Sequence, residues 1–95
     1  RQVADCSDIN ADLSSALAML ATLDEYIAVS NTNLHLRAGV ISSEVKHTTV
    51  LVCHPPEWRW GHHGHESPWF PGIRVLRELA PSERPDTWST ALSQL

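Results

Sequence analysis

The chain has 95 residues, a formal net charge of −4 at pH 7 and 42% hydrophobic residues. That length suits one small domain, which would bury roughly 60–65% of the surface its unfolded chain exposes. The acidic balance disfavours a general nucleic-acid or membrane surface. No apolar run reaches the ~18 residues of a membrane span.

No signal peptide is visible, and the chain begins at Arg1, as a piece cut from a longer protein would. Cys6 and Cys53 do not make a disulfide framework. They read as buried thiols beside strands in a reducing compartment, so the expected location is cytoplasmic.

Val3 and Ala4 read as the end of a strand whose earlier part is missing, and Asp8 or Asn10 as a cap for the helix that follows. Residues 11–23 place Leu13, Ala16, Leu17, Leu20 and Leu23 at a helical period, with Met19 near the same face. That face is expected to pack on a sheet. Residues 26–29 form a short apolar strand without clean alternation, as in a strand covered on both sides.

Next comes Ser30-Asn31-Thr32-Asn33, and then a helix over 33–40 or 33–41. A strand that passes through small polar residues into a helix is the layout of an α/β ligand site. The first N–H groups of a helix lack carbonyl partners within it. One of the four polar residues can cap, and the remaining donors suit an anion such as a phosphate. The plainer reading is a cap and a turn alone. His35 in the first turn can donate to an oxygen, and Arg37 is either a phosphate ligand or a surface charge.

Residues 42–46 read as a connection, and 47–53 as the best strand, rich in β-branched side chains. The order helix, strand, helix, strand predicts an α/β fold with a small, mostly parallel sheet of about three strands and crossover helices.

Residues 54–71 hold four prolines, two glycines, three tryptophans and four histidines. The prolines break regular structure and the aromatics exclude disorder. The segment reads as a long folded loop at the carboxyl end of a strand, where ligands bind in parallel α/β folds. Segments 30–35 and 54–70 should therefore meet on one edge of the sheet. A third strand is expected over 73–79, a linker over 81–85, and a short last helix capped by Asp86 or Thr87.

His54, placed rigidly by Pro55 and Pro56, is a candidate site residue. His62, His63 and His65, with His54 and Cys53, open a metal-binding alternative, although their spacing matches no structural zinc module. In Glu57-Trp58-Arg59-Trp60, Arg59 can hold a phosphate or carboxylate. Alternatively both tryptophans anchor the loop, with Arg59 stacked on one of them or paired to Glu57 or Glu66. Ser67-Pro68-Trp69-Phe70-Pro71 reads as a second anchor. Glu57 or a histidine is the only available general base. No P-loop, nucleophile elbow or Gly-x-Gly-x-x-Gly is present.

Three stretches in order, 30–39, 54–60 and 66–71, resemble the carboxyl-terminal part of bacterial glycosyltransferase-like proteins that often carry tetratricopeptide repeats upstream. That group is similar to heptosyltransferases and O-linked N-acetylglucosamine transferases. The resemblance spans residues 5–95. It implies that the chain is one partial Rossmann-like domain, the donor-binding half of a two-domain enzyme. A nucleoside-diphosphate sugar would be the substrate, with no cofactor. The resemblance further implies that Asn31, Thr32, Asn33 and His35 line the diphosphate site and that the 54–60 loop lies near the same cleft.

The donor-binding set is then Ser30, Asn31, Thr32, Asn33, His35, Arg37, His54, Glu57 and Arg59. The acceptor and general base are implied to belong mostly to an amino-terminal domain. The stretch 41–46 departs from the short glycine-containing turn usual in that group. No transfer activity is expected of these 95 residues alone. The standing alternative is a non-catalytic interaction module. The missing first strand predicts an exposed sheet edge, to be covered by the amino-terminal domain or by a second copy of the chain.

Overall fold

The computed structural model describes residues 2–40, 47–82 and 86–95. The predicted connection over 42–46 and residues 83–85 of the predicted linker lie outside the described residues. A 3-10 turn (Ser7–Ala11) leads into α1 (Leu13–Thr22), β1 (Glu25–Val29), α2 (Thr32–Val40) and β2 (His47–Val52). A 3-10 turn at Trp58–Trp60, then β3 (Ile73–Arg77) and α3 (Ser89–Leu92), complete the chain. The strands form one parallel sheet in the order β1-β2-β3, with Ala28 opposite Val50 and Val50 opposite Val75. This is the expected small α/β domain, the arrangement of part of a Rossmann-like fold.

Parallel neighbours need a crossover. Helix α2 supplies the first. The second is the aromatic-rich loop, not a helix. Side chains alternate across a sheet, so Thr48, Val50 and Val52 share a face with Ile73 and Val75. Leu34 of α2 and Trp60 of the loop close that face, with Tyr26, Ala38 and Phe70 packed around them. Trp60 and Phe70 thus occupy the place of a crossover helix. The opposite face carries α3, whose Ala91 is buried. Arg74 ties it down, donating to the Thr49 hydroxyl at 3.3 Å and to the Gln94 carbonyl at 3.1 Å. The N-cap position of α3 is Trp88 and not Asp86 or Thr87, but the Asp86 carboxylate just before it accepts the N–H groups of Trp88 and Ser89, each at 3.1 Å.

Several expectations need correction. Residues 3 and 4 are not in a strand, and Val3 is exposed. Cys6 and Cys53 are both exposed free thiols. Helix α1 packs on α2 and the first 3-10 turn rather than on the sheet, because α2 and the aromatic loop occupy the sheet face. β1 is not covered on both sides. As the edge strand it leaves Ile27 and Val29 exposed at 42% and 49%, because α3 packs on β3 at the far edge.

Arg37 explains how α1 and α2 are joined. It is fully buried. Its guanidinium donates to the Leu20 carbonyl, to that of Leu23 at 2.8 Å, to that of His47 at 3.1 Å and to the Thr48 hydroxyl at 3.0 Å. The last carbonyls of a helix have no partner within it, and a cation suits that end of the dipole. Burial lowers the Arg37 pKa, opposed by the charges of Tyr26 and Asp24.

Candidate functional site

Asn31 is the residue that caps α2. Its side-chain oxygen accepts the Leu34 N–H at 2.9 Å, and its carbonyl accepts the His35 N–H at 3.3 Å. Both bonds come from a residue whose short amide competes well at a helix start. Beside this cap lies a cleft of about 530 Å³ between α2 and the amino-terminal segment. Asn10, Asn31, Thr32 and Asn33 are its polar lining, and no carboxylate contributes to it. Asn33 donates to Asn10 at 3.0 Å, which ties the two walls together.

The second predicted segment meets the first, as expected for groups at the carboxyl ends of parallel strands. The Ser30 hydroxyl donates to Glu57 at 3.0 Å and accepts the Trp60 indole N–H at 3.0 Å. Arg59 donates to the other Glu57 oxygen at 3.0 Å. Burial alone would raise the Glu57 pKa. Hydrogen bonds from Arg59 and Ser30, with the Arg59 charge, outweigh it and hold the carboxyl below the usual glutamate value. Glu57 is therefore an anion near neutral pH, poorly suited to donate a proton, with acceptor capacity left on each oxygen beyond the Ser30 and Arg59 bonds. A smaller cleft of about 340 Å³ opens here, lined by Ser30, Glu57, Trp60 and the free Cys53.

The nine sequence candidates divide. Asn31, Thr32 and Asn33 line the first cleft. Ser30 and Glu57 line the second, with Arg59 paired to Glu57. His35 lies in neither lining: its ring stacks on Phe70 at 5.2 Å and on Trp60 at 6.4 Å, with its Nε2 buried and unpartnered. Arg37 is committed to backbone carbonyls and does not reach the helix start, which corrects its assignment to the phosphate. His54 belongs elsewhere. Its N–H donates to Glu78 at 2.9 Å, and its side chain helps line a cavity of about 310 Å³ with His62, His63 and His65. Among the described residues, no group of three His, Cys, Asp or Glu side chains could hold a metal ion.

Two features escaped the sequence. Arg77 gathers the Gly61–Gly64 turn by donating to the carbonyls of Trp60, Gly61 and Gly64, the latter two at 2.9 Å. Its place at the carboxyl end of a strand facing a glycine turn was the available signal. The loop anchors are Trp60 and Phe70, whose rings lie 5.0 Å apart. Trp58 and Trp69, read as anchors too, stand in solvent.

No helix among the described residues is long and apolar enough to cross a membrane. Comparison with protein-family models, with curated proteins and with solved structures found no match. The functional reading therefore rests on the residues and their geometry.

Proposed function

We propose that this chain is the donor-binding part of a glycosyltransferase, with the diphosphate of a nucleoside-diphosphate sugar held at the start of α2. The observation that carries the reading is the cleft at that helix start. Its polar lining is three amides and a hydroxyl, it lacks any carboxylate although the chain is acidic, and it sits where β1 hands over to α2. Asn31 occupies the Leu34 N–H, so the N–H groups of Thr32 and Asn33, at the positive end of the helix, are the donors offered to phosphate oxygens. The Asn10 and Asn33 amides add neutral donors.

Ser30, Glu57 and Arg59 form the wall toward the sugar. Glu57 accepts from a sugar hydroxyl and Arg59 balances its charge. Leaving-group chemistry and the acceptor belong to a second domain in this reading, so the 95 residues bind without turning over. That domain, or a second copy of the chain, covers the open edge of β1. The cytoplasm supplies such donors and suits the free thiols.

The test is a titration of UDP, with GDP and ADP as controls, followed by amide NMR. Saturable shifts centred on Asn31, Thr32 and Asn33 are expected, and Asn33→Asp should abolish them by placing a negative charge in the cleft. A well-folded spectrum that does not move at millimolar nucleotide would sink donor binding by this chain.

A further inference from the structure

The 54–71 loop puts Trp60 and Phe70 inside but leaves two tryptophans outside. Trp58 and Trp69 are 65% and 63% exposed. Their rings meet edge to face, with centroids 5.5 Å apart and planes at 88°. The backbone beneath them is clamped. Ser67 is buried, donates to the Arg59 carbonyl and accepts the Trp69 N–H at 3.2 Å. One hydroxyl thereby joins the two turns that bear the rings. Next to Trp58, the buried Trp60 is bonded to Ser30. A charged pair stands beside the rings: the Arg59 guanidinium lies 5.0 Å from the Trp58 ring centre and donates to Glu57.

Leaving two large aromatic surfaces in water forgoes the favourable burial that such side chains ordinarily gain. Disorder does not explain them, because the turns below are fixed.

We propose that Trp58 and Trp69, flanked by Glu57 and Arg59, form a platform for neutral pyranose sugars. A pyranose presents a flat face of weakly positive C–H groups, which packs on the negative face of an aromatic ring. Its hydroxyls match a carboxylate acceptor and a guanidinium donor, and both are already held in place by the Glu57–Arg59 bond. Rings in edge-to-face contact leave no slot between them for a proline ring, which is what readers of proline-rich peptides require. The net charge of −4 disfavours a nucleic-acid strand. Glu57 and Arg59 are shared with the sugar wall of the donor reading, but the inference does not rest on the nucleotide cleft, since none of these four residues lines it.

The experiment uses the intact chain and three neutral probes, maltotriose, cellotriose and tri-N-acetylchitotriose, with the indole N–H resonances recorded by NMR. At least one probe should move the Trp58 and Trp69 signals saturably at about millimolar concentration, a usual range for a small shallow site. Trp60 and Trp88 should move less. Because both rings are exposed, Trp69→Ala and Trp58→Ala should keep the native fold by circular dichroism while weakening binding about tenfold or more. The platform is overturned if none of the probes moves these signals at about 20 mM. It is equally overturned if the double alanine variant binds as well as the parent, or if a decaproline peptide saturates the rings and the sugars do not. Loss of UDP shifts with sugar binding intact would remove the donor reading and leave the platform standing.

Discussion

At the residue scale, arginine does most of the unexpected work. Arg37, Arg74 and Arg77 each bond backbone carbonyls that the elements leave open, whereas Arg59 pairs with the Glu57 carboxylate. Arg37→Met keeps the volume but strands the Leu20, Leu23 and His47 carbonyls in a buried place. Unsatisfied buried acceptors cost on the order of 1–3 kcal/mol each before relaxation, so a net loss of about 3 kcal/mol in a urea titration is expected. A loss below about 1 kcal/mol would mean that water replaces the guanidinium.

Glu78 gives the acid response. The His54 N–H first, and the Thr87 hydroxyl second, hold its pKa below the ordinary 4.5, with burial opposing. A carboxyl lowered in the folded state stabilises fully above its unfolded value and loses that contribution as pH falls through the folded one. Urea midpoints should therefore drop below pH 4.5, and Glu78→Gln should flatten that acid limb. Identical slopes for both proteins would disprove the assignment.

The individual roles of these groups were not legible in the chain. An arginine in a strand or helix looks the same whether it faces solvent or a carbonyl, since the difference lies in which distant backbone arrives beside it.

At the element scale, α2 is short and carries Gly39 in its last turn, exposed, with nothing within 4 Å of where a Cβ would stand. Glycine in a helix gives up about 0.5–1 kcal/mol relative to alanine. Gly39→Ala should raise stability by that amount in the same urea titration. A decrease would show that the helix end needs glycine's freedom. The contrasting positions are Gly61 and Gly64, with φ of 65° and 93°. Alanine there should destabilise the loop that Arg77 gathers.

The elements themselves were the most readable part of this protein. The 3.6-residue period marked α1, the β-branched run marked β2, and the polar break after residue 29 marked the start of α2. Those signals are local. Which face α1 uses is not local, and it packs on α2 instead of the sheet. The crossover role of the 54–71 loop was likewise hidden, since aromatic content announces a folded loop without saying that Trp60 and Phe70 will stand in for a helix.

At the scale of the whole molecule, β1 ends the sheet on one side with no strand beyond it among the described residues. Ile27 and Val29 stand exposed next to that edge. Such edges invite pairing, and a two-fold axis lying beside β1 opposite Ile27 would pair the strand antiparallel with its copy. Ile27→Lys should remove any association that the parent shows in sedimentation velocity. A parent that stays monomeric across the accessible concentrations would show that β1 does not pair with a second copy.

By itself the sequence determined the class of fold and the succession of its main elements, because hydrophobic period, β-branching and capping chemistry act over a few residues. It also determined that the 54–71 loop is folded, because four prolines and three tryptophans suit neither a regular element nor a disordered one. Only the tertiary structure decided which candidates face the cleft. Arg37 went to helix carbonyls, His35 to an aromatic stack and His54 to a different cavity. These outcomes depend on contacts between residues 10 or more positions apart, and on the need to satisfy every buried polar group at once, which no local stretch of the chain can express.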